Sequence, residues 1–398
     1  MNIAIITDTF PPMVDGVSRC VLGYANALHE RGYGNCIVIA PRIPKVKHDY
    51  PFPIYSFRSI GLPYGEFRAG TPFSPKLIKK LKAMGIDLLH VHSPFISMSI
   101  ARHLRYFMDL PIVFSQHTKW DYDIARALRG KILQKGLERF AYSNLSAANE
   151  LWAVSKGTGE YLISRGYKGS YIVMPNGTDF PKGDADPLLM KQISDRLSLP
   201  DGVPVLLFVG RMMWYKNIGL IIEALEILSK RSFDFRMIFV GGGDDLPDVK
   251  KMAAYKKLSH IIHFIGKVHN REELRAYYSR SDLFVFPSIY DNAPLVIREA
   301  AACACPALVV RNSSSAEILK DGFSGFFTDD NPQSIADALQ TILSDRTTLK
   351  KVAANAAEHV YLPWDKAIEK SIIRYKEVIK TYNNNKKKPR KRIKKRTD

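Results

Sequence analysis

Cysteine is scarce in this sequence, and its placement argues against a disulfide framework or a zinc site. The chain of 398 residues contains four cysteines: Cys20, Cys36, Cys303 and Cys305. They lie in apolar patterns without paired CxxC spacing, so we expect buried, reduced thiols of the kind found in cytosolic proteins. No apolar run approaches the roughly 20 residues that cross a bilayer, and residues 1–9 have no basic start. We therefore expect neither a membrane span nor a signal peptide.

Acidic residues are few relative to basic ones. The sequence has 39 Asp and Glu against 58 Lys and Arg, which gives a formal net charge of +19. Much of the excess lies in residues 383–398, NNNKKKPRKRIKKRTD, which are too charged to pack and are predicted to form a disordered tail. We expect an anionic membrane surface as the partner of this tail, and we do not expect nucleic acid. A solubilising tail without a specific partner is the alternative.

Short apolar runs alternate with helical patterns in both halves of the chain, which is typical of parallel sheets covered by helices. In the first half the predicted strands are residues 3–7, 36–40, 88–92, 112–115 and 151–154. In the second half they are residues 205–209, 237–240, 261–265, 283–287 and 307–310. No strand is followed by the G-x-G-x-x-G fingerprint, which argues against a dehydrogenase. Gly241 to Gly243 instead predict a tight turn between a strand and a helix.

Residues 283–306, LFVFPSIYDNAPLVIREAAACACP, carry the most specific signal. After a strand that ends in Pro-Ser, Asp291 and Asn292 are helix-capping types, and Pro294 fits the first position of a helix. A helix N-terminus at the carboxyl end of a parallel strand binds anions through its free N–H groups. The segment therefore predicts a phosphate site flanked by hydroxyl groups. The alternative is that Asp291 only caps the helix and Glu299 is solvated, although a carboxylate in so apolar a helix needs a partner.

The same residues resemble a known family. An acidic residue, seven others and then Glu-Ala, after a strand ending in Pro-Ser, is similar to the signature of the retaining glycosyltransferases of family 4, which have the GT-B fold. In that family the first acid binds sugar hydroxyls of a nucleotide-sugar donor and the second binds the ribose, which implies these roles for Asp291 and Glu299. The chain departs from the pattern with Asp instead of Glu at 291, and with Asn-Ala-Pro where many members have glycines. The identity of the sugar therefore stays open.

The resemblance covers nearly all of the chain up to about residue 380 and implies an α/β architecture with two Rossmann-like domains that face each other across a cleft. We predict an N-terminal acceptor-binding domain over residues 1–177, a linker over 178–203 and a nucleotide-sugar-binding domain over 204–362. A helix over 363–382 is expected to pack back on the first domain. The basic tail, 383–398, lies outside the resemblance.

Further candidates follow the carboxyl ends of other strands, where open α/β sheets bind ligands. Gly16 opens a helix after the first strand, where glycine lets a diphosphate approach the backbone. Arg211 and Lys216 follow strand 205–209, and the resemblance implies that they neutralise the departing diphosphate. His117 follows strand 112–115 and is expected to contact the donor or the acceptor. The alternatives are that Gly16 is an ordinary loop glycine, that Arg211 and Lys216 are solvated surface charges, and that His117 is structural.

The candidate residues form three groups. Catalytic roles are predicted for His117, Arg211, Lys216 and Asp291. Donor binding is predicted for Gly16, Arg211, Lys216, Val268, Asp291, Asn292, Ala293, Leu295 and Glu299. Acceptor binding is predicted for His92, Trp120, Tyr122 and Asp123. Asp121-Tyr122-Asp123 also matches the DxD metal motif of the GT-A fold, a weak pattern, and two Rossmann-like halves need no metal, so we expect no metal and no cofactor beyond the nucleotide sugar.

The predicted reaction is transfer of a hexose, from a donor of the UDP-glucose type, to an acceptor hydroxyl with retention at the anomeric carbon. Residues 120–139 combine apolar positions 124, 128, 132 and 137 with basic residues, which is typical either of a helix at a membrane surface or of a core helix with a solvated face. With the tail, this segment favours a lipid acceptor at the cytoplasmic leaflet, and the chain looks like the diacylglycerol glucosyltransferases. Polysaccharide or polyprenyl-linked acceptors, a nucleic-acid-binding protein and a non-catalytic nucleotide-binding protein are the alternatives.

Overall fold

Two parallel β-sheets organise the protein, one in each of its two units. The computed structural model describes residues 1–13, 15–61, 68–71, 74–120, 124–125 and 130–387. The first unit comprises Met1–Val154, Thr158–Pro175 and the chain from Asp365. The second unit comprises Ser155–Gly157 and Asn176–Trp364. In sequence, the second unit is therefore inserted before the last part of the first.

The first unit contains a seven-stranded parallel sheet in the order β3-β2-β1-β6-β7-β8-β9. Its strands are β1 (Ile3–Ile6), β2 (Cys36–Pro41), β3 (Ile54–Phe57), β6 (Leu88–Val91), β7 (Ile112–Gln116), β8 (Glu150–Ala153) and β9 (Ile172–Val173), and β4 (Ser59–Gly61) pairs separately with β5 (Arg68–Gly70). The helices are α1 (Gly16–Glu30), α2 (Pro75–Ala83), α3 (Ile96–Met108), α4 (Lys131–Leu145), α5 (Lys156–Ser164) and, at the C-terminus, α13 (Trp364–Lys387). The central strands are buried on both faces, which explains why they read as continuous apolar runs.

The second unit contains a six-stranded parallel sheet in the order β12-β11-β10-β13-β14-β15. Its strands are β10 (Val205–Val209), β11 (Arg236–Val240), β12 (Ile262–Gly266), β13 (Leu283–Phe286), β14 (Ala307–Val310) and β15 (Phe326–Thr328). The helices are α6 (Pro187–Arg196), α7 (Ile218–Lys230), α8 (Leu246–Tyr255), α9 (Arg271–Arg280), α10 (Leu295–Ala302), α11 (Pro332–Ser344) and α12 (Arg346–His359). One hydrophobic core joins this sheet to its helices.

The strand order reverses once in each sheet. β1 pairs with both β2 and β6, and β10 pairs with both β11 and β13, so consecutive connections leave in opposite directions at these points. In open α/β sheets the loops beyond the strands diverge there and form a ligand crevice. All ten strands predicted from apolar runs are present. The predicted α/β class with two Rossmann-like halves is confirmed.

Two predicted segments have a different structure. Residues 178–203, predicted as a linker, belong to the second unit, where they form α6 and bury Phe180 and Ile193 in its core. Residues 383–387, predicted as part of the disordered tail, continue α13. The helix extends because its end is anchored: the Tyr382 hydroxyl donates to Asp109 at 2.7 Å and Lys386 forms an ion pair with the same carboxylate at 2.9 Å. The rest of the predicted tail lies outside the described residues.

Helix α13 packs on the first unit, as the family resemblance implies. Arg374 forms an ion pair with Glu150 at the start of β8, and the Tyr24 and Ser371 hydroxyls lie 3.3 Å apart. Tyr375 is fully buried beside Trp152, with 5.0 Å between the ring centroids. Among the described residues, no helix combines the length and the apolar character needed to cross a membrane.

Candidate functional site

Neighbouring strands bring the predicted cationic and acidic residues of the second unit to one edge of its sheet. Arg211 and Lys216 follow β10, and Asp291 follows β13, its hydrogen-bonded neighbour. The strand order reverses between these two strands, so the residues lie at the switch point, where open α/β sheets bind ligands. The side chain of Asn217 donates to the Pro287 carbonyl at 3.0 Å and ties the two loops together.

Lys216 and Asp291 form a tight, partly buried ion pair. The Lys216 ammonium donates to both carboxylate oxygens, at 2.7 and 2.6 Å, and the Ser288 hydroxyl donates to one of them at 2.6 Å. Lys216 is 7% exposed, and the Asp291 side chain is 22% exposed. Burial alone would raise the pKa of Asp291, but the charge and hydrogen bonds of Lys216, with Ser288 and the nearby Arg211, lower it overall. Asp291 is therefore ionised at neutral pH.

The start of helix α10 differs from the prediction that Asp291 or Asn292 caps it and that Pro294 is its first residue. Helix α10 begins at Leu295, and Pro294 is its N-cap residue in an extended conformation instead of its first helical residue. The side chain of Asp291 points to Lys216 and does not cap the helix, and within the described part of the chain this N-terminus has no side-chain cap hydrogen bond. Asn292 is buried, whereas Ala293 and Leu295 are partly exposed. A helix N-terminus without a side-chain cap fits the predicted phosphate site.

Glu299 is buried and paired, which excludes the solvated alternative. It is 3% exposed, accepts from Arg271 at 2.7 Å and accepts from the Tyr278 hydroxyl at 3.2 Å. Arg271 also forms an ion pair with Asp179, so it bridges two carboxylates. Arg271 and Tyr278 are absent from the residues predicted to form the site. One signal in the sequence was available: a carboxylate in an apolar helix requires a cationic partner. Arg271 is the first residue of α9, the helix between β12 and β13 in sequence.

Glycines let the loops after β10 and β11 pack closely. A Cβ atom at Gly243 would lie 2.3 Å from the Met212 carbonyl oxygen, and one at Gly241 would lie 1.9 Å from that of Gly210. The predicted tight turn between strand and helix is therefore confirmed. Its glycines pack against the backbone of Gly210 and Met212, the two residues that flank Arg211. Val268, a predicted donor-binding residue, follows β12 and packs partly buried against the core.

In the first unit, Gly16 begins α1 directly after the loop that follows β1. Asp15 caps the helix in a reciprocal arrangement with Ser18, whose backbone N–H donates to the Asp15 carboxylate at 2.8 Å. A Cβ atom at Gly16 would meet no atom of the described residues within 4 Å, so these residues leave the space beside this backbone open. The position therefore leaves room for a ligand beside the backbone of Gly16, whereas the Asp15 carboxylate already caps the helix N-terminus.

Three histidines form a hydrogen-bonded cluster in the first unit. Nδ1 of His92 lies 2.8 Å from Nε2 of His117, and Nε2 of His92 lies 3.2 Å from Nδ1 of His90. Burial lowers the pKa of His117 to about 4 and the pKa values of His90 and His92 well below the ordinary value. All three rings are therefore neutral at pH 7.

The predicted acceptor residues are not together at a surface. His92 is 3% exposed and lies behind His117 in the cluster. Trp120 is 4% exposed and packs in the core against Phe95 and Tyr142, because its large apolar ring gains more from burial than from contact with water. These burials do not support a direct acceptor contact by either residue. Tyr122 and Asp123, like Asp121, lie outside the described residues.

Helix α4, in the predicted membrane segment, exposes apolar side chains. Ile132 is 88% exposed and Leu133 is 62% exposed, and the exposed residues around them are Lys131, Lys135, Arg139 and Phe140. Ile124 is buried, as expected for a residue of an apolar face. Ile132 was predicted to share that face, but its side chain is exposed to solvent. The outer surface of α4 is therefore basic and apolar together.

Family models match both halves of the chain. "Glycosyltransferase Family 4" matches residues 14–180, and "Glycosyl transferases group 1" matches residues 190–359. The chain is 23% identical to the alpha-monoglucosyldiacylglycerol synthase of Acholeplasma laidlawii over 91% of this chain and 97% of the relative.

Solved structures show the same fold. Sucrose-phosphate synthase from Thermosynechococcus elongatus has a TM-score of 0.76 and 19% identity, over 96% of this chain and 99% of the other. HepE of Anabaena, in complex with UDP-glucose, has a TM-score of 0.70 and 16% identity, over 97% of this chain and 100% of the other. The GT-B fold that the sequence resemblance implies is therefore confirmed.

Proposed function

Because the chain is a glycosyltransferase of the family 4 type, we propose that it transfers a hexose from a UDP-sugar to a hydroxyl of a membrane lipid, with retention at the anomeric carbon. The observation that carries the donor half of this proposal is the Lys216–Asp291 ion pair beside the uncapped N-terminus of α10. The lipid acceptor draws support from the similarity to a monoglucosyldiacylglycerol synthase, and UDP-glucose from the ligand of HepE.

The ion pair has the spare capacity that donor binding requires. An ammonium has three donors, of which Lys216 gives two to Asp291; the described residues leave the third for a phosphate oxygen. A carboxylate has about four acceptor positions, of which Asp291 uses three for Lys216 and Ser288. The remaining position suits a sugar hydroxyl. One rigid pair can thus hold the diphosphate and the sugar next to each other.

In the proposed reaction the bond from the anomeric carbon to the diphosphate breaks, and a bond from that carbon to the acceptor oxygen forms on the same face. The acceptor proton passes to an oxygen of the leaving diphosphate. Negative charge grows on that diphosphate in the transition state, and Lys216, the exposed Arg211 and the first N–H groups of α10 stabilise it. These groups carry the charge stabilisation without a metal. Gly16 and His117 remain predicted donor contacts in the first unit.

Glu299 would contact the ribose in this scheme. Its two oxygens each accept one hydrogen bond, from Arg271 and from Tyr278, and each has a second acceptor position. The pairing with Arg271 fixes the carboxylate in orientation, which favours recognition of a diol.

A panel of nucleotide sugars tests this function. With UDP-glucose, UDP-galactose and GDP-mannose as donors and diacylglycerol in mixed vesicles as acceptor, we expect glycolipid product from a UDP-sugar, with an alpha linkage by NMR. Addition of EDTA is expected to leave the rate unchanged. Absence of both transfer and donor hydrolysis across the panel would contradict the proposal, and product only from water-soluble glycans would contradict the lipid acceptor.

Membrane binding through α4 is the second part of the proposal. The exposed Ile132 and Leu133 can insert among lipid headgroups while the neighbouring basic residues contact anionic lipid. The protein would then act at the cytoplasmic face of the membrane without crossing it.

Vesicle sedimentation tests this contact. Replacing Ile132 and Leu133 with serine is expected to weaken binding to vesicles that contain phosphatidylglycerol by about tenfold, since two apolar side chains lose their burial. Added salt should weaken the binding of the wild type. Tyr255→Ser, at a residue that is 85% exposed in the second unit, is the matched control and should bind as the wild type does. Equal binding of all three proteins would exclude α4 as the contact.

A further inference from the structure

The guanidinium group of Arg271 is held firmly by residues of the second unit. Its Nε donates to the Asp179 carboxylate at 3.0 Å, and its Nη2 donates to the same carboxylate. Nη2 also donates to Oε1 of Glu299 at 2.7 Å. The guanidinium carbon lies over the ring of Phe180, 4.1 Å from the centroid. These contacts fix both the plane and the direction of a group that is itself rigid.

The same contacts leave Nη1 of Arg271 without a partner among the described residues. An arginine has five N–H donors in a fixed fork, of which Nε and Nη2 use three here. The side chain is 23% exposed. In the described part of the chain, the buried polar side-chain atoms that lack a partner include Nε of Arg275 but no atom of Arg271. Nη1 is therefore accessible, and it carries two N–H donors for a ligand.

The direction of Nη1 follows from the planar shape of the group. Nε and Nη2 form the edge that faces Asp179, so the second N–H of Nη2 points to Glu299 and one N–H of Nη1 runs parallel to it. Oε2 of Glu299 accepts from the Tyr278 hydroxyl instead of from Nη1. Nη1 therefore points into the space beside Oε1 of Glu299.

A donor and an acceptor that lie side by side match a hydroxyl group. Oε1 of Glu299 has a second acceptor position, and Nη1 of Arg271 offers a donor next to it. A hydroxyl donates its O–H and accepts at its oxygen, so one sugar hydroxyl can satisfy both atoms. The bond from the guanidinium is charge-assisted, which makes it stronger than a hydrogen bond between neutral groups.

We propose that Arg271 binds the ribose of the donor at the hydroxyl that Glu299 contacts, and that Asp179 is the positioning residue that aims Arg271. The inference rests on the proposed function, because it uses the contact of Glu299 with the ribose. Without Asp179 the guanidinium would be free to turn and to present both Nη atoms to Glu299, as arginine–carboxylate pairs commonly do. That rotation would withdraw Nη1 from the ligand.

Calorimetric binding of UDP and of its 2′-deoxy and 3′-deoxy analogues to the full-length protein tests the contact. The wild type should bind UDP about tenfold more tightly, or better, than the analogue that lacks the contacted hydroxyl. Arg271→Lys keeps a cation beside Glu299 but cannot reproduce the fork, so the Kd for UDP should rise about tenfold. The Kd for that analogue should rise by less than about threefold, because its contact is already missing.

Two further variants sharpen the test. Asp179→Asn changes a side chain that is 51% exposed, so the fold should persist, and the Kd for UDP should rise about threefold with the same dependence on the hydroxyl. Arg231→Lys is the matched control. Arg231 also donates to two side chains, Gln340 and Asp337, and it should bind all three ligands as the wild type does.

The outcomes separate this contact from the proposed function. In a Glu299→Gln background, Arg271→Lys should weaken UDP binding by a further factor of about three. Absence of that further loss would mean that Arg271 acts only through Glu299, and equal losses for UDP and both analogues would mean that it contacts no ribose hydroxyl. Either result would overturn the inference and leave the UDP donor intact. A wild type that does not bind UDP would refute the proposed donor and this contact together.

Discussion

Replacing Lys216 with alanine is expected to lower kcat/KM by about two to three orders of magnitude, the cost of losing one preorganised group that stabilises transition-state charge. The lost ammonium holds Asp291 in place and offers its third donor to the leaving diphosphate. Both effects act more strongly as charge develops than in the ground state, so the loss should appear mainly in kcat. Initial rates with the preferred donor and saturating lipid measure it.

Two further variants separate chemistry from folding. Lys216→Ala leaves the Asp291 carboxylate without its ion-pair partner, which costs stability. The double variant Lys216→Ala/Asp291→Asn removes both charges, so its Tm should recover while its kcat/KM stays low. Lys230→Ala removes a lysine whose ion pair with Glu226 is exposed, and it should have no effect on rate. A Lys216→Ala enzyme within threefold of the wild-type kcat/KM would contradict the assignment.

Replacing Glu299 with glutamine or alanine is expected to raise the donor KM about 10- to 100-fold with a smaller change in kcat. The ribose does not react, so its contacts hold the ground state and the transition state about equally, and their loss appears in KM. The size follows from hydrogen bonds to a charged acceptor, about 1.5–3 kcal/mol. Because KM does not depend on the fraction of active protein, partial unfolding of the alanine variant does not obscure the result.

Tyr278→Phe serves as the control for Glu299. It removes one hydrogen bond from the carboxylate but leaves the charge and the contact with Arg271. The donor KM should therefore change little. If Glu299 acts only as the counter-ion of Arg271, its substitutions will lower Tm and leave KM unchanged, and that result would refute the ribose contact.

The sheets were predictable because their central strands are buried on both faces. Val205–Val209 and Ala307–Val310 match the predicted limits, since a strand covered on both sides has to be apolar throughout. Short edge strands such as β9 and β15 were not predicted, because a strand of two or three residues leaves too little pattern. The linker prediction failed for a related reason: the few apolar side chains of α6 pack on a core formed by distant sequence.

The candidate site was predictable by residue type but not by pairing. Asp291, Lys216 and Glu299 stood out from their spacing and from their apolar surroundings. Their partners depend on which strands become neighbours in the sheet. β10 and β13 pair although more than 70 residues separate them in the sequence. Arg271 and Tyr278 were missed for this reason, since a lone arginine or tyrosine in a helix carries no local sign of what it contacts.

Helix α13 has a consequence for biosynthesis. Tyr375 fills the space beside Trp152 and His90, yet it is encoded after the whole second unit. While the ribosome is still translating residues 176–364, the nascent first unit lacks this helix, and the surface that will receive it stays open. The second unit, nearly continuous in sequence, can complete its core first. The amino-terminal half of this enzyme therefore reaches its final state only when almost the entire polypeptide has emerged.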